Sequence, residues 1–215
     1  MLLVINVKSA IIFIAYFFIQ GERIMKQSAK VEIIKSFKEL LNEKSIDKIT
    51  VKEICEHCNV NRQTFYNHFT DIMDVFKFLF HKEVSLEIAQ NRTFETWTNG
   101  YLATMKYLEN NSKMILHVYK SSYWSEANIY FTNLSNRLLC DVVEECIQKV
   151  GVELNEKDKN FVVNFYRHIF NGLLIDWISE GMEEAPEIVL KKLLYMITGS
   201  IPRSIANFVK GEIRK

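Results

Sequence analysis

Residues 50–69 read TVKEICEHCNVNRQTFYNHF, and two short helical patterns meet in them at a tight corner. Val51, Ile54, Cys55 and Cys58 recur at spacings of three and four, which defines one buried face. Thr50 stands where its hydroxyl can accept a hydrogen bond from a free backbone N–H of the opening turn. Asn59 falls at the reversal, and asparagine is one of the few non-glycine residues that enters the left-handed region cheaply. Asn61 is placed to cap a second helix, which turns Phe65 and Phe69 inward and leaves Arg62, Gln63, Tyr66, Asn67 and His68 outside. A turn of about four residues between two helices, the second with an acid-free, hydrogen-bonding outer face, predicts a helix-turn-helix that fits a groove of duplex DNA.

The flanks extend this unit. From Met25 to Lys44 the pattern is amphipathic, with Val31, Ile34, Phe37 and Leu41 on one stripe and lysines and glutamates opposite. This predicts a first helix that braces the two-helix unit, followed by a polar connection over Ser45 to Ile49. Thr70 and Asp71 then open a helix to about Gln90, with Met73, Phe76, Leu79 and Phe80 among its apolar positions.

The segment from Thr50 to Phe69 resembles the DNA-binding domain of the TetR family of bacterial transcriptional regulators. Its T-x-Y-x-x-F core is present as Thr64, Tyr66 and Phe69. The resemblance implies an all-α protein: a three-helix helix-turn-helix domain over residues 25–85, then a helical ligand-sensing and dimerisation bundle over residues 86–215. It implies a homodimer on a pseudo-palindromic double-stranded operator, released or engaged by a small-molecule effector; the four cysteines, which lack a disulfide framework, point to a reducing cytoplasm. Arg62 and Gln63, at the start of the recognition helix, are the candidates for base edges, Arg suiting guanine and Gln adenine. Thr50, Asn61, Thr64, Tyr66, Asn67 and His68 are assigned mainly to the phosphate backbone, which positions the head without reading sequence. The family often has lysine near the positions of Thr70 and Ile72, within reach of phosphate, and this chain does not.

A length of 215 residues is enough for one or two domains with a proper core. Two prolines, seven glycines and 48% hydrophobic residues indicate an ordered, mostly helical chain. The net charge of +1 means that no global field draws the protein to DNA, so any attraction is local. Cys55, Cys58, Cys140 and Cys146 lack the spacing of a disulfide framework. Cys55, His57 and Cys58 invite a metal reading, but on one short helix they aim three ligands in poor directions for a tetrahedral site. Buried packing thiols are the expectation, with no metal and no cofactor.

Beyond Asn91 the pattern predicts helices over Phe94 to Asn110, Ser112 to Ser121, Glu126 to Val150, Glu156 to Glu180 and Pro186 to Ser200. Ile201-Pro202 is expected to break or kink the last of these before a short terminal helix. Phe161 to Leu194 carries more large apolar residues than one helical stripe holds, so it needs a second partner surface. The motif formed by Trp177, Ile178, Gly181, Met182, Pro186 and Glu187 resembles the carboxy-terminal domain of the TetR branch that includes regulators of dihydroxyacetone kinase operons. That likeness implies a dimer interface, assigned to Phe161, Phe165, Phe170, Leu173, Leu174, Trp177, Leu190 and Leu194. Aromatics concentrate in the middle helices, where the family encloses its effector. The candidates are Trp97, Tyr101, His117, Tyr123 and Tyr130, since aromatic walls with a few polar tips are what a small-molecule pocket requires.

Residues 1–24 are out of character with the rest. The apolar run from Ala10 to Ile19 is ten residues, against about 20 for a membrane-spanning helix, and no small-x-small cleavage site follows. A translation start at Met25 is favoured over a membrane anchor, and membrane association is not expected. No phosphate-binding loop, dinucleotide fingerprint, zinc-protease motif or nucleophile elbow occurs, so no enzymatic activity is expected. The rival to a DNA-binding regulator is a TetR-like coregulator with weak or no DNA binding that acts through another protein, or from the membrane through residues 1–24.

Overall fold

The computed structural model describes residues 29–91 and 93–211; the expectations for residues 1–24 lie outside them. The order is α1 (29–43), a 3-10 turn (Ile46–Lys48), α2 (Val51–His57), α3 (Arg62–Tyr66), α4 (Ile72–Gln90), α5 (Trp97–Asn110), α6 (Ser112–Tyr119), α7 (Trp124–Val150), α8 (Glu156–Ser179), α9 (Pro186–Ile197) and α10 (Ser200–Lys210). No strand occurs among the described residues.

Two apolar clusters hold these helices. The first joins Ile33, Phe37 and Leu41 of α1, Ile54 of α2 and Phe65 of α3 to Phe76 and Leu79 of α4, and continues into the body through Met105, Met114, Val118 and Trp177. Its members are almost wholly buried, and each large side chain contributes about 1.5–3 kcal/mol on removal from water. The second lies in the far half of the body, between Val143 and Cys146 of α7, Val162 and Tyr166 of α8, Leu193 of α9 and Ile205 of α10. Because α4 packs on both α1 to α3 and the body, it ties the head to the bundle.

Most helix ends follow the expected local chemistry. Gly151 closes α7 at φ 72° and Pro186 opens α9 at its first turn. Two boundaries differ from the sequence pattern. The helix expected from Phe94 begins at Trp97, because Thr93 and Thr96 close a turn through their hydroxyls and the Phe94 N–H donates to Glu145 of α7. The expected break at Ile201-Pro202 falls instead at Thr198-Gly199, where Gly199 has φ 72°. Pro202 then sits in the first turn of α10, where its missing N–H removes no helical bond. Gly181 and Met182 both take positive φ after α8, and the Met182 N–H returns to Trp177 O at 2.8 Å, so the chain reverses into α9.

Candidate nucleic-acid interface and body cavity

The corner of the head forms as its residues dictate. The Thr50 hydroxyl accepts from Glu53 N at 3.2 Å, capping α2. Asn59 adopts φ 54°, the left-handed residue of the reversal. Asn61 caps α3 twice over: its Oδ1 accepts from Thr64 N at 2.7 Å and from the Thr64 hydroxyl at 3.0 Å. Phe65 is fully buried, Phe69 nearly so, and their rings meet at 5.9 Å. The inward side of α3 is therefore an aromatic wedge, and its outward side is fixed by that anchoring.

Arg62, Gln63, Tyr66 and Asn67 are exposed on that outward side, and none of the residues of α3 is acidic. Gln63 Nε2 donates to Asn67 Oδ1 at 3.2 Å, which pre-sets two amides one helical turn apart. Tyr66, 55% exposed as a residue, stands edge-on to Phe65. Thr64 and Asn61 spend one oxygen each on the cap, so these two residues are partly committed to holding the helix. His68 departs from the sequence pattern, which left it outside. It is half-buried with its ring beside Phe69, and its Nε2 is closed off from solvent. The residue after the helix turns back toward the aromatic wedge, so that nitrogen does not reach a phosphate.

Asp71 just before α4 and Asp74 in its first turn are tied together at the helix start: Asp71 Oδ1 accepts from Asp74 N and Asp74 Oδ2 from Thr70 N. Carboxylates there repel phosphate, whereas Lys52 is well exposed on the first turn of α2. Of the lysine and arginine side chains of α2 and α3, Lys52 pairs with Glu56 at 3.7 Å, and Arg62 has no carboxylate partner among the described residues. Cys55 is buried and the Cys58 thiol donates to Ile54 O at 3.0 Å, while burial pushes both thiols up, so they stay protonated and pack. The His57 ring faces Ser36, with Nδ1 to Oγ at 3.0 Å.

In the body, a cavity of about 120 Å³ lies between α5, α7 and α8. Trp97 and Tyr101 line it, with Trp124, Phe131, Leu134, Leu138 and Phe170. The α7 positions 124, 128, 131, 135, 138 and 142 repeat at three and four, which puts one face of that helix on the cavity. Tyr130 is rotated off this face; its hydroxyl donates to Lys77 O of α4. Tyr123 packs on the first cluster and His117 lies at the junction of head and body, donating from Nδ1 to Leu41 O at 2.7 Å. Tyr130, Tyr123 and His117 thus do not line this cavity. The signal that separates them from Trp97 and Tyr101 is helix phase, which aromatic content alone does not carry. Burial raises the Tyr101 phenol, which stays neutral and donates to Phe170 O at 3.1 Å. Among the described residues the amides of Asn128 and Asn171, both in the lining, make no hydrogen bond.

The expected interface residues divide. Phe161 and Phe165 are 62% and 52% exposed, Leu173 lies on the same outer side of α8, and Leu174 and Leu194 are half-buried. Phe170, Trp177 and Leu190 are buried within the protomer, Trp177 donating from Nε1 to Glu184 O at 2.7 Å. These three hold the chain's own core and are not available to a second copy. Phe208 and Val209 of α10, which the sequence pattern did not single out, are exposed beside α8, with the Phe161 and Phe208 rings 5.8 Å apart.

A buried two-helix corner presenting an acid-free helix, joined through one shared helix to a cavity-bearing bundle, is the architecture of a helix-turn-helix protein with a separate helical body. Comparison with known proteins makes this specific. Residues 33–77 match the model described as bacterial regulatory proteins, tetR family, and residues 95–199 match one described as transcriptional regulator C-terminal region. The chain belongs to the TetR family of transcriptional regulators. It is 24% identical over 135 residues to the HTH-type dhaKLM operon transcriptional activator DhaS of Lactococcus lactis subsp. lactis (strain IL1403), covering 62% of this chain and 70% of that protein. In fold it is similar to the dihydroxyacetone kinase operon activator DhaS, with a TM-score of 0.63 at 20% identity over 80% of this chain and 96% of that one. It is also similar to NalD of Pseudomonas aeruginosa, the secondary repressor of the MexAB-OprM multidrug efflux pump, with a TM-score of 0.54 at 14% identity over 83% and 97% of the two chains. Among the described residues no helix is long and apolar enough to cross a membrane, and no three His, Cys, Asp or Glu side chains are grouped to hold a metal ion.

Proposed function

We propose that the protein is a cytoplasmic, homodimeric regulator whose two α3 helices read a pseudo-palindromic operator, and whose body cavity admits a small effector that alters operator affinity. The observation that carries this reading is the two-sidedness of α3: Phe65 is fully buried while Arg62, Gln63, Tyr66 and Asn67 stand outside with no acid among the helix residues. Arg62 and Gln63 are the base readers. Thr50, Asn61, Thr64, Tyr66 and Asn67 set the register on the backbone. The outer side of α8, with Phe161, Phe165 and Leu173 continued by Phe208 and Val209, supports pairing with a second copy. The cavity suits an effector of about six non-hydrogen atoms, by comparison with an apolar cavity of roughly 150 Å³ that accepts benzene. Asn128 and Asn171 supply its hydrogen bonds, and the walls are otherwise mostly apolar.

Regulation follows from linkage. An effector that fits the body better when the heads are wrongly spaced lowers DNA affinity by the ratio of its affinities for the two states. The test is selection of bound sequences from random duplexes. A two-fold site with half-sites about 34–36 Å apart, or a multiple of that, is expected. With Arg62→Ala, binding is expected to weaken by about 1–3 kcal/mol and to lose preference at one base pair of each half-site. Equal binding of parent and variant to every operator sequence removes Arg62 from the readers, and selection of no sequence at all favours the coregulator.

A further inference from the structure

We infer that the junction between head and body is a second ligand site, distinct from the apolar cavity, for a small phosphorylated anion. A solvent-open cleft of about 560 Å³ lies there. The head contributes Lys44 and Lys48, from the end of α1 and the 3-10 turn, and the body contributes Lys113 and His117 of α6 and Lys120 at its C-cap. Glu43 is the one acid in the lining and Leu116 the one apolar side chain. Lys44 is paired with Glu53, whereas Lys48, Lys113 and Lys120 have no carboxylate partner among the described residues. Three exposed lysines without a carboxylate partner line one concavity, and a multiply charged anion relieves their mutual repulsion. Ammonium point charges suit phosphate oxygens, and four of the eight residues that line the cleft are lysines.

The spacing favours more than one phosphate. Lys113 and Lys120 are seven residues apart on α6 and its C-cap, about 10 Å along its axis, and the head lysines lie across the cleft from them. His117 is held in place: Nδ1 donates to Leu41 O at 2.7 Å, so that nitrogen carries the proton and Nε2 is the one left for a ligand. The same seam is closed by Asp47, whose carboxylate accepts from the Ser122 hydroxyl at 2.6 Å and from Ser122 N at 3.2 Å. An anion gripped from both sides of this seam favours one head angle. Its effect on DNA rests on the regulatory reading above; its binding does not.

The probe is inorganic pyrophosphate, titrated into the full-length protein without DNA at fixed ionic strength, with sulfate as control. At a hundredfold excess over Kd the thermal midpoint of the parent is expected to rise by roughly 5–10 °C. In Lys113→Gln/Lys120→Gln, affinity by calorimetry is expected to fall at least tenfold, while the anion-free midpoint holds or rises because the repulsion is gone. Lys113→Arg/Lys120→Arg, which keeps the charge, is expected to keep binding. An equal shift in parent and glutamine variant, or an equal shift with sulfate, means an adventitious ion only and overturns the proposal. A glutamine variant that melts well below the parent without anion overturns it too, by giving the lysines a structural role. So does a glutamine variant whose DNA binding loses salt dependence, which assigns the lysines to the DNA backbone.

Discussion

Asn61 separates the folding of the recognition helix from its contact with DNA, because its two chemical replacements act in opposite directions. In the structure its Oδ1 takes both the Thr64 N–H, at 2.7 Å, and the Thr64 hydroxyl, at 3.0 Å. The helix it caps has five residues, too short to be stable by propagation, so the cap is a large share of what holds it. Asn61→Ala removes both bonds and is expected to cost about 1 kcal/mol, or roughly 2–4 °C in a chain of this size. Asn61→Asp keeps an acceptor and adds a negative charge to the positive end of the helix, worth about 0.3–1 kcal/mol of stabilisation. Its midpoint is therefore expected to match or exceed the parent's. On DNA the same charge meets a phosphate. At about 5 Å and an effective dielectric between 20 and 80, the repulsion is about 1–3 kcal/mol, or roughly 5- to 150-fold in Kd. Thermal unfolding and fluorescence anisotropy on one operator duplex measure the two effects. An Asn61→Asp protein that is stable and binds DNA as the parent does would show that this end of α3 is not against the backbone.

Three further outcomes are expected. Phe165→Glu charges an exposed position on α8 and should yield a helical monomer by sedimentation, with cooperative unfolding retained; a dimer of unchanged affinity would place the interface elsewhere. Leu134→Trp fills the cavity and should abolish the response of DNA binding to any effector that acts on the parent. A response that survives would move the effector out of the cavity. The Asp47 carboxyl is held below its ordinary range, chiefly by the Ser122 hydroxyl. Its folded form is thus favoured above the unfolded pKa, and the contribution is lost as pH falls below about 4. Ser122→Ala, which leaves the Ser122 N–H on Asp47, should weaken that acid sensitivity of head–body docking, as followed by the fluorescence of Trp124 two residues away; unchanged sensitivity would assign the acid step to another carboxylate.

The head was legible because its signals are local. Thr50, Asn59 and Asn61 each announce a cap or a reversal within three or four residues, and the structure shows all three in those roles. Helix phase also marked Phe65 and Phe69 as the inner side of the corner. The body was legible only in outline. Phe170, Trp177 and Leu190 look like the exposed Phe161 and Phe165 in composition, and only the packing of α7 on α8 and of α5 on α9, with Trp97 of α5 against Phe170, decides which of them are covered. Tyr130 and Phe131 adjoin in sequence, yet one bonds to α4 and the other lines the cavity. The lysine cleft has no sequence signal at all, since Lys48 and Lys113 are brought together by the docking of α6 on the head.

The account stands on α3 being held out for duplex DNA, and the salt dependence of binding to DNA flanking the gene tests that most directly. If the two heads neutralise about 6–10 phosphates, log K should fall linearly with log salt at a slope of roughly −5 to −9 between 50 and 200 mM. A slope near zero, or no binding at the lowest salt, would contradict it.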